Sequence, residues 1–137
     1  MLNIIGMKVL VTIERGKDGS YWCQTENAIL GGYLTATGKS VQEAKEDLRE
    51  CLEEAKEDLE AQGKTFPEIE FTYKYDLQSF FDYFSFLNVS DIAKRAGVNP
   101  SLMRQYTSGV KNAGEKTYQR LAACVQNVGR ELQAATF

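Results

Sequence analysis

The chain has 137 residues, 43% of them hydrophobic and 26% charged, with 16 Lys+Arg against 19 Asp+Glu for a net charge of −3. That balance suits a globular chain with room for one or two small domains, and no apolar run approaches the roughly 20 residues that span a bilayer. Histidine is absent, which removes the usual general base, most nucleophilic triads and the commonest metal ligand, so neither a catalytic residue nor a metal or cofactor is expected. Cys23, Cys51 and Cys124 form no CxxC pair and are expected to be reduced. The N-terminal stretch MLNIIGMK is too short and too weakly charged for a signal peptide, so a cytoplasmic location is expected.

Met7–Ile13 alternates apolar residues at Val9, Val11 and Ile13 and reads as a first strand. Lys17-Asp18-Gly19 is a turn signal, and Tyr21–Thr25 follows as the second strand of a hairpin. Gly31-Gly32 breaks the chain before a third strand at Tyr33–Thr37. Trp22 and Tyr21, with Tyr33, mark either a sheet surface used for binding or core, and the sequence does not choose.

Ser40 and Glu43 then form an S-x-x-E capping box. Behind it Val41, Ala44, Leu48, Cys51, Leu52, Ala55 and Leu59 recur at spacings of three and four, one inner stripe over more than five turns, with Gly63 as the stop. This helix carries nine acids (Glu43, Glu46, Asp47, Glu50, Glu53, Glu54, Glu57, Asp58, Glu60) against Lys45, Arg49 and Lys56, so its outer face is negative. Ile69, Phe71, Tyr73 and Tyr75 alternate within Glu68–Tyr75 as a fourth strand. The expected fold class is α+β: a β-β-β-α-β sheet with one covering helix over 1–76, then an all-α domain over 77–137, with no linker between them.

From Asp76 the period is helical. Leu77, Phe80, Phe81, Phe84 and Leu87 form an aromatic-rich first helix, and Ser90 is read as the cap of the second. The stretch SDIAKRAGVNPSLMRQYTSG, residues 90–109, has the spacing of a helix–turn–helix. Ile92, Ala93, Val98, Met103 and Tyr106 fall where two packed helices need them. Gly97 sits where the first must turn, and Asn99 with Pro100 opens the next. Ser101, Arg104, Gln105 and Ser108 are then the exposed side chains of that helix. Arginine suits guanine edges, glutamine suits adenine, and serine suits bases or phosphate. Lys111 and Asn112 lie just past it, within reach of a phosphate backbone, as do Lys94 and Arg95. A last helix spans Glu115–Leu132, with Tyr118, Leu121, Ala122, Val125, Val128 and Leu132 as its inner stripe and Cys124 beside it.

Charge divides along the same line. Residues 1–76 hold 9 Lys+Arg and 15 Asp+Glu, a net of −6, whereas residues 77–137 hold 7 and 4, a net of +3. A basic half for DNA and an acidic half for another partner fit that split. A metal-dependent nuclease would need acids converging from strand ends, and the first strand offers only Glu14, with Asp18 in the turn after it.

This order of parts resembles the HicB family of antitoxins, in which a degraded RNase-H-like domain precedes a DNA-binding segment. The likeness lies in KVLVTIERGKDGSYWCQT, in GGYLTATGKSVQEAKEDLRECLEE with its G-x-S-x-x-E-A stretch (Gly38, Ser40, Glu43, Ala44), and in DIAKRAGVNPSLMRQYTSG with the helix to Leu132. The helix–turn–helix resembles the phage-repressor (Xre/Cro) type. One segment departs: TENAILGG, Thr25–Gly32, stands where many members have a Pro-Gly-Cys-like stretch. The resemblance implies an antitoxin that blocks a basic, HicA-type mRNA-cleaving toxin and represses its own operon. Operator contacts would fall on Asn99, Ser101, Arg104, Gln105, Ser108, Lys111 and Asn112, and toxin contacts on Glu46, Glu50 and Glu54. A homodimer or higher oligomer is expected; the aromatic helix Leu77–Leu87 and the last helix both have enough apolar area to join copies, and the sequence does not choose the surface. The alternative is a stand-alone helix–turn–helix regulator whose N-terminal domain dimerises or senses a ligand.

Overall fold

The computed structural model describes residues 6–137, so residues 1–5, which hold most of the MLNIIGMK stretch, lie outside the described residues. Its architecture is mixed α+β, with a four-stranded mixed sheet and five helices among the described residues. No helix among them is long and apolar enough to cross a membrane. The chain divides into two compact units, Met1–Tyr83 and Phe84–Phe137.

The first unit runs β1 (Met7–Arg15), β2 (Tyr21–Thr25), β3 (Thr35–Gly38), α1 (Val41–Ala61), β4 (Ile69–Tyr75) and α2 (Leu77–Tyr83). Its sheet order is β3-β2-β1-β4, with β1 antiparallel to β2, β2 antiparallel to β3, and β4 parallel to β1. Strand β3 therefore runs in the same sense as β4, and a parallel return needs a long crossover, which α1 supplies. Alternation puts Val9, Val11, Ile13, Tyr21, Cys23, Thr25 and Ala36 on one face, all buried. Val41, Ala44 and Leu48 of α1 meet that face. The buried hydroxyl of Thr25 is satisfied by the N–H of Leu34 at 2.9 Å.

The junction between β3 and α1 shows why Gly38 stands there. A Cβ at that position would lie 2.5 Å from the Ala44 nitrogen and 2.7 Å from the Glu43 Cβ. The cap beside it works as the S-x-x-E spacing predicts at one end: Ser40 Oγ accepts the Glu43 N–H at 3.1 Å. The returning carboxylate goes one residue further back, accepting the Lys39 N–H at 2.8 Å. Asp82 Oδ2 also accepts the Val41 N–H, placing a second acidic side chain at the positive end of the helix.

Two expectations are corrected here. The stripe of α1 is fully buried only as far as Leu48, and Leu52, Ala55 and Leu59 are half-buried. A helix of 21 residues is about 32 Å long, while the strands beneath it, five and four residues, extend only about 17 Å or less, so its second half overhangs. Second, the aromatic helix stops at Tyr83 rather than Leu87. The first compact unit runs on through α2 to Tyr83, past Asp76. Asp76 explains this placement: its Oδ1 accepts from Ser79 N–H in α2, and its Oδ2 accepts from Arg15 N–H at the end of β1. One carboxylate thus ends the strand, starts the helix and ties both to the sheet.

The second unit contains α3 (Val89–Ala96), α4 (Pro100–Ser108) and α5 (Glu115–Ala134). Helix α3 packs on both of the others. The cap of α3 is Asn88, whose Oδ1 accepts the Asp91 N–H at 3.0 Å, and not Ser90, which lies inside the helix. Leu121 and Cys124 are the buried residues of α5, with Thr117, Val125 and Val128 partly covered. Tyr118, Ala122 and Leu132, expected on the inner stripe, are exposed. The eight-residue α3 covers about 12 Å, too little to shield both ends of the 20-residue α5.

Candidate functional site

Helices α3 and α4 meet through a short, closed turn. Gly97 adopts the left-handed conformation at φ 74°. Its N–H bonds the Lys94 carbonyl, and the Val98 N–H bonds the Ala93 carbonyl at 2.8 Å. This paired closure needs a residue free of the Cβ penalty at positive φ. Asn99 then caps α4, its Oδ1 accepting from Ser101 N–H at 2.9 Å and Leu102 N–H at 3.2 Å, and Pro100 opens the first turn. The turn is held from within by Ile92, Ala93, Val98, Met103 and Tyr106, all buried.

With those residues inside, the outer face of α4 is fixed by helical period. Ser101, Arg104, Gln105 and Ser108 recur at i, i+3, i+4 and i+7 and are all exposed, as are Asn99, Lys111 and Asn112. Arg104 donates to Ser101 Oγ at 3.1 Å, so it lies along the helix surface. Ser108 Oγ bonds the Gln105 carbonyl at 3.2 Å. The Lys111 N–H bonds the Gln105 carbonyl, which turns the chain back past the glycine at 109. The structure thus collects Ser101, Arg104, Gln105 and Ser108 on one surface. It assigns Asn99 a capping duty through its oxygen. Arg95 is engaged: its guanidinium pairs with Glu131 of α5 at 2.8 Å.

The second candidate surface is the outer face of α1. Glu46, Glu50 and Glu54 are exposed there and, with Glu53, Glu57 and Arg49, line a shallow groove. Gln42 donates to Glu46 Oε1 at 2.8 Å. Sequence reading missed the position of Lys45. Its ammonium turns inward, 3.5 Å from the Tyr83 ring centre and 4.0 Å from that of Tyr73, and donates to Tyr75 Oη at 2.6 Å. Cation–π attraction and the hydrogen bond to Tyr75 hold it there, while desolvation by burial lowers its pKa. Only Arg49 and Lys56 are left to offset the acids of that helix. The signal was present in the strand: tyrosines at 73 and 75, two apart, share a sheet face on the side of α1.

The aromatic residues on which the sequence was undecided separate. Tyr21 is buried, whereas Trp22 is 46% and Tyr33 63% exposed. Among the described residues no three Cys, Asp or Glu side chains gather in a way that could hold a metal ion. Glu14 is an exposed end of β1, and Asp18 accepts from the Ser20 hydroxyl and N–H, hydrogen bonds that lower its pKa. Cys23 is buried, and desolvation pushes its thiol up to about 11, far from a nucleophile at neutral pH. No family model, curated protein or solved structure matches the chain.

Proposed function

We propose that this is a binding protein with two working ends: a HicB-like antitoxin that represses its own operon. In this reading α3 and α4 form a helix–turn–helix of the Xre/Cro type, and α4 enters the major groove with Ser101, Arg104 and Gln105 toward base edges and Lys111 and Asn112 toward phosphate. The sheet and α1 form a partial RNase-H-like domain whose acidic face, around Glu46, Glu50 and Glu54, holds a small basic toxin that cuts mRNA. No cofactor, metal or catalytic residue is assigned, and the working location is the cytoplasm.

One observation carries the reading. The residues that hold α4 in place (Met103, Tyr106) and those available to a ligand (Ser101, Arg104, Gln105, Ser108) fall on opposite sides of one short, doubly capped helix. The available side is polar with a cation and contains no acid, which suits a face set into a groove lined by phosphates. The charge division supports it: residues 84–137 hold 7 Lys+Arg and 3 Asp+Glu, a net of +4.

The test is a binding assay of the purified chain against duplex DNA from its own promoter and against the product of the adjacent gene. Both should bind, the promoter in preference to a scrambled duplex. Promoter binding alone would leave a stand-alone regulator. Failure of both would end the proposal.

A further inference from the structure

Strand β4 is an edge strand. It pairs with β1 on one side, and no strand among the described residues pairs with the other. Alternate residues of its seven-residue backbone therefore present N–H and C=O groups along an open edge. Natural sheets blunt such edges with prolines, bulges or charged side chains, lysine above all. Within Ile69–Tyr75 there is no proline, and β4 pairs with β1 in unbroken register from Met7↔Ile69 to Ile13↔Tyr75. Its two charges are of opposite sign, Glu70 and Lys74, and both are exposed.

Their positions define a self-complementary register. Two copies of β4 placed antiparallel about Thr72, the central residue of the strand, pair all seven residues. Glu70 then stands opposite Lys74 of the second copy, and Lys74 opposite Glu70. Phe71 stands opposite Tyr73, and Ile69 opposite Tyr75. Directly opposed residues of an antiparallel pair share a face. Both charge pairs therefore fall on the open face of the sheet and both aromatic pairs on the other. Centring the pair on Tyr73 sets Glu70 against Asp76, and centring it on Phe71 pairs five strand residues with Lys74 opposite Glu68; the Thr72 register pairs all seven, with Glu68 opposite Asp76 just beyond its ends.

The aromatic row needs a cover. Ile69, Phe71, Tyr73 and Tyr75 are only half-buried: α1 lies mainly over β3 and β2, and Lys45 with Phe80 and Tyr83 of α2 covers the Tyr73–Tyr75 end of the row. Neighbouring rings in the row already lie about 6 Å apart, at 6.3 Å for Phe71–Tyr73 and 6.2 Å for Tyr73–Tyr75. A second copy would double the row and remove its outer flank from water.

We propose that two copies of this chain join through antiparallel pairing of their β4 edges, centred on Thr72, into one continuous eight-stranded sheet. The occupant of this edge is a second copy because the charge pattern matches its own inverse. This gives a surface to the self-association expected of the two-ended reading, yet needs neither DNA nor a toxin.

The experiment is sedimentation velocity of the full chain over a range of concentrations, for the wild type, Glu70→Lys, Lys74→Glu and the double exchange. Twofold symmetry repeats each pair, so a single reversal turns two attractive contacts into two repulsive ones. Dimer dissociation constants should rise about tenfold or more in each single variant and return toward wild type in the double. Far-UV circular dichroism should be unchanged, since both side chains are exposed. T72C should give a chain-to-chain disulfide under mild oxidation that the wild type, with its own three cysteines, does not. A monomeric wild type, singles that dimerise normally, or a double exchange no better than its parents would each overturn the proposal. None of these results by itself decides whether the chain binds promoter or toxin, which is measured separately.

Discussion

Replacing Arg104 with alanine separates base reading from general attraction to DNA. The side chain is exposed and donates a hydrogen bond to Ser101 Oγ, also exposed. Alanine favours the helix, so the fold should change by no more than about 0.5 kcal/mol. A bidentate arginine–guanine contact contributes about 1–3 kcal/mol, or roughly 5- to 150-fold in affinity. Removing it should lower promoter affinity by that factor and narrow the gap between promoter and scrambled duplex. Lys111→Ala, on the far side of the turn, should instead weaken both duplexes alike and lower the salt slope by about one unit. Fluorescence anisotropy on the two duplexes at several salt concentrations reads both effects. Equal loss on promoter and scrambled DNA in Arg104→Ala would refute base reading by this residue. Unchanged affinity would remove α4 from the interface.

Three further results are expected. Gly38→Ala sets a Cβ 2.5 Å from backbone in the first turn of α1, where no flexible side chain can yield; chemical denaturation should show a loss of about 1–3 kcal/mol or more. Reversing Glu46, Glu50 and Glu54 to lysine should weaken toxin binding while leaving promoter affinity within the second unit's own range, and a normal toxin affinity would move that site to the exposed Trp22 and Tyr33. The Cys23 thiol, raised in the folded state from about 9 to about 11 by burial, favours folding below its unfolded pKa, and that contribution fades as pH rises from about 9 to 11. Burial raises Tyr21, Tyr73 and Tyr75 in the same sense, while the lowered Lys45 opposes them. Urea midpoints should fall across that window, less steeply in Cys23→Ala; a flat wild-type profile would contradict this.

How far the fold could be read in advance depended on how local each determinant was. Strand β2, the Ser40 cap of α1 and the Asn99-Pro100 start of α4 rest on neighbouring residues, and each stands where the sequence placed it. The exposed face of α4 followed from period alone once Met103 and Tyr106 were taken as inner. What failed was set by lengths and partners elsewhere in the chain. Leu52 to Leu59 looks identical in pattern to Val41 to Leu48; only the shortness of β2 and β3 leaves it half-covered. Tyr118 and Leu132 satisfy an inner period on α5, yet α3 is too short to cover them. The capping contest between Asn88 and Ser90 is decided by two residues of helix, within the usual blur of helix ends. Lys45 counted as a surface cation until the tyrosines of β4 were placed beneath it.

The β4 pairing bears on DNA binding through charge. The second unit carries seven cations, one of them held by Glu131, so a single copy can neutralise few phosphates. Each phosphate contact contributes about 0.9 to the salt slope, and specific helix–turn–helix sites are read by two copies on paired half-sites. A protein locked as a dimer binds both half-sites in one step, and a monomer must lose affinity steeply with dilution. Glu70→Lys should therefore weaken promoter binding although it lies on the sheet, outside the α3–α4 pair, and although it makes the chain more positive. Simple electrostatics predicts the opposite sign for that variant. Lys74→Glu should weaken binding too, and the double exchange should recover it. Anisotropy titrations at low protein concentration measure all three. Tighter binding by Glu70→Lys, with Lys74→Glu weaker and the double intermediate, would mean that only net charge matters and that the sheet edge has no part in holding DNA.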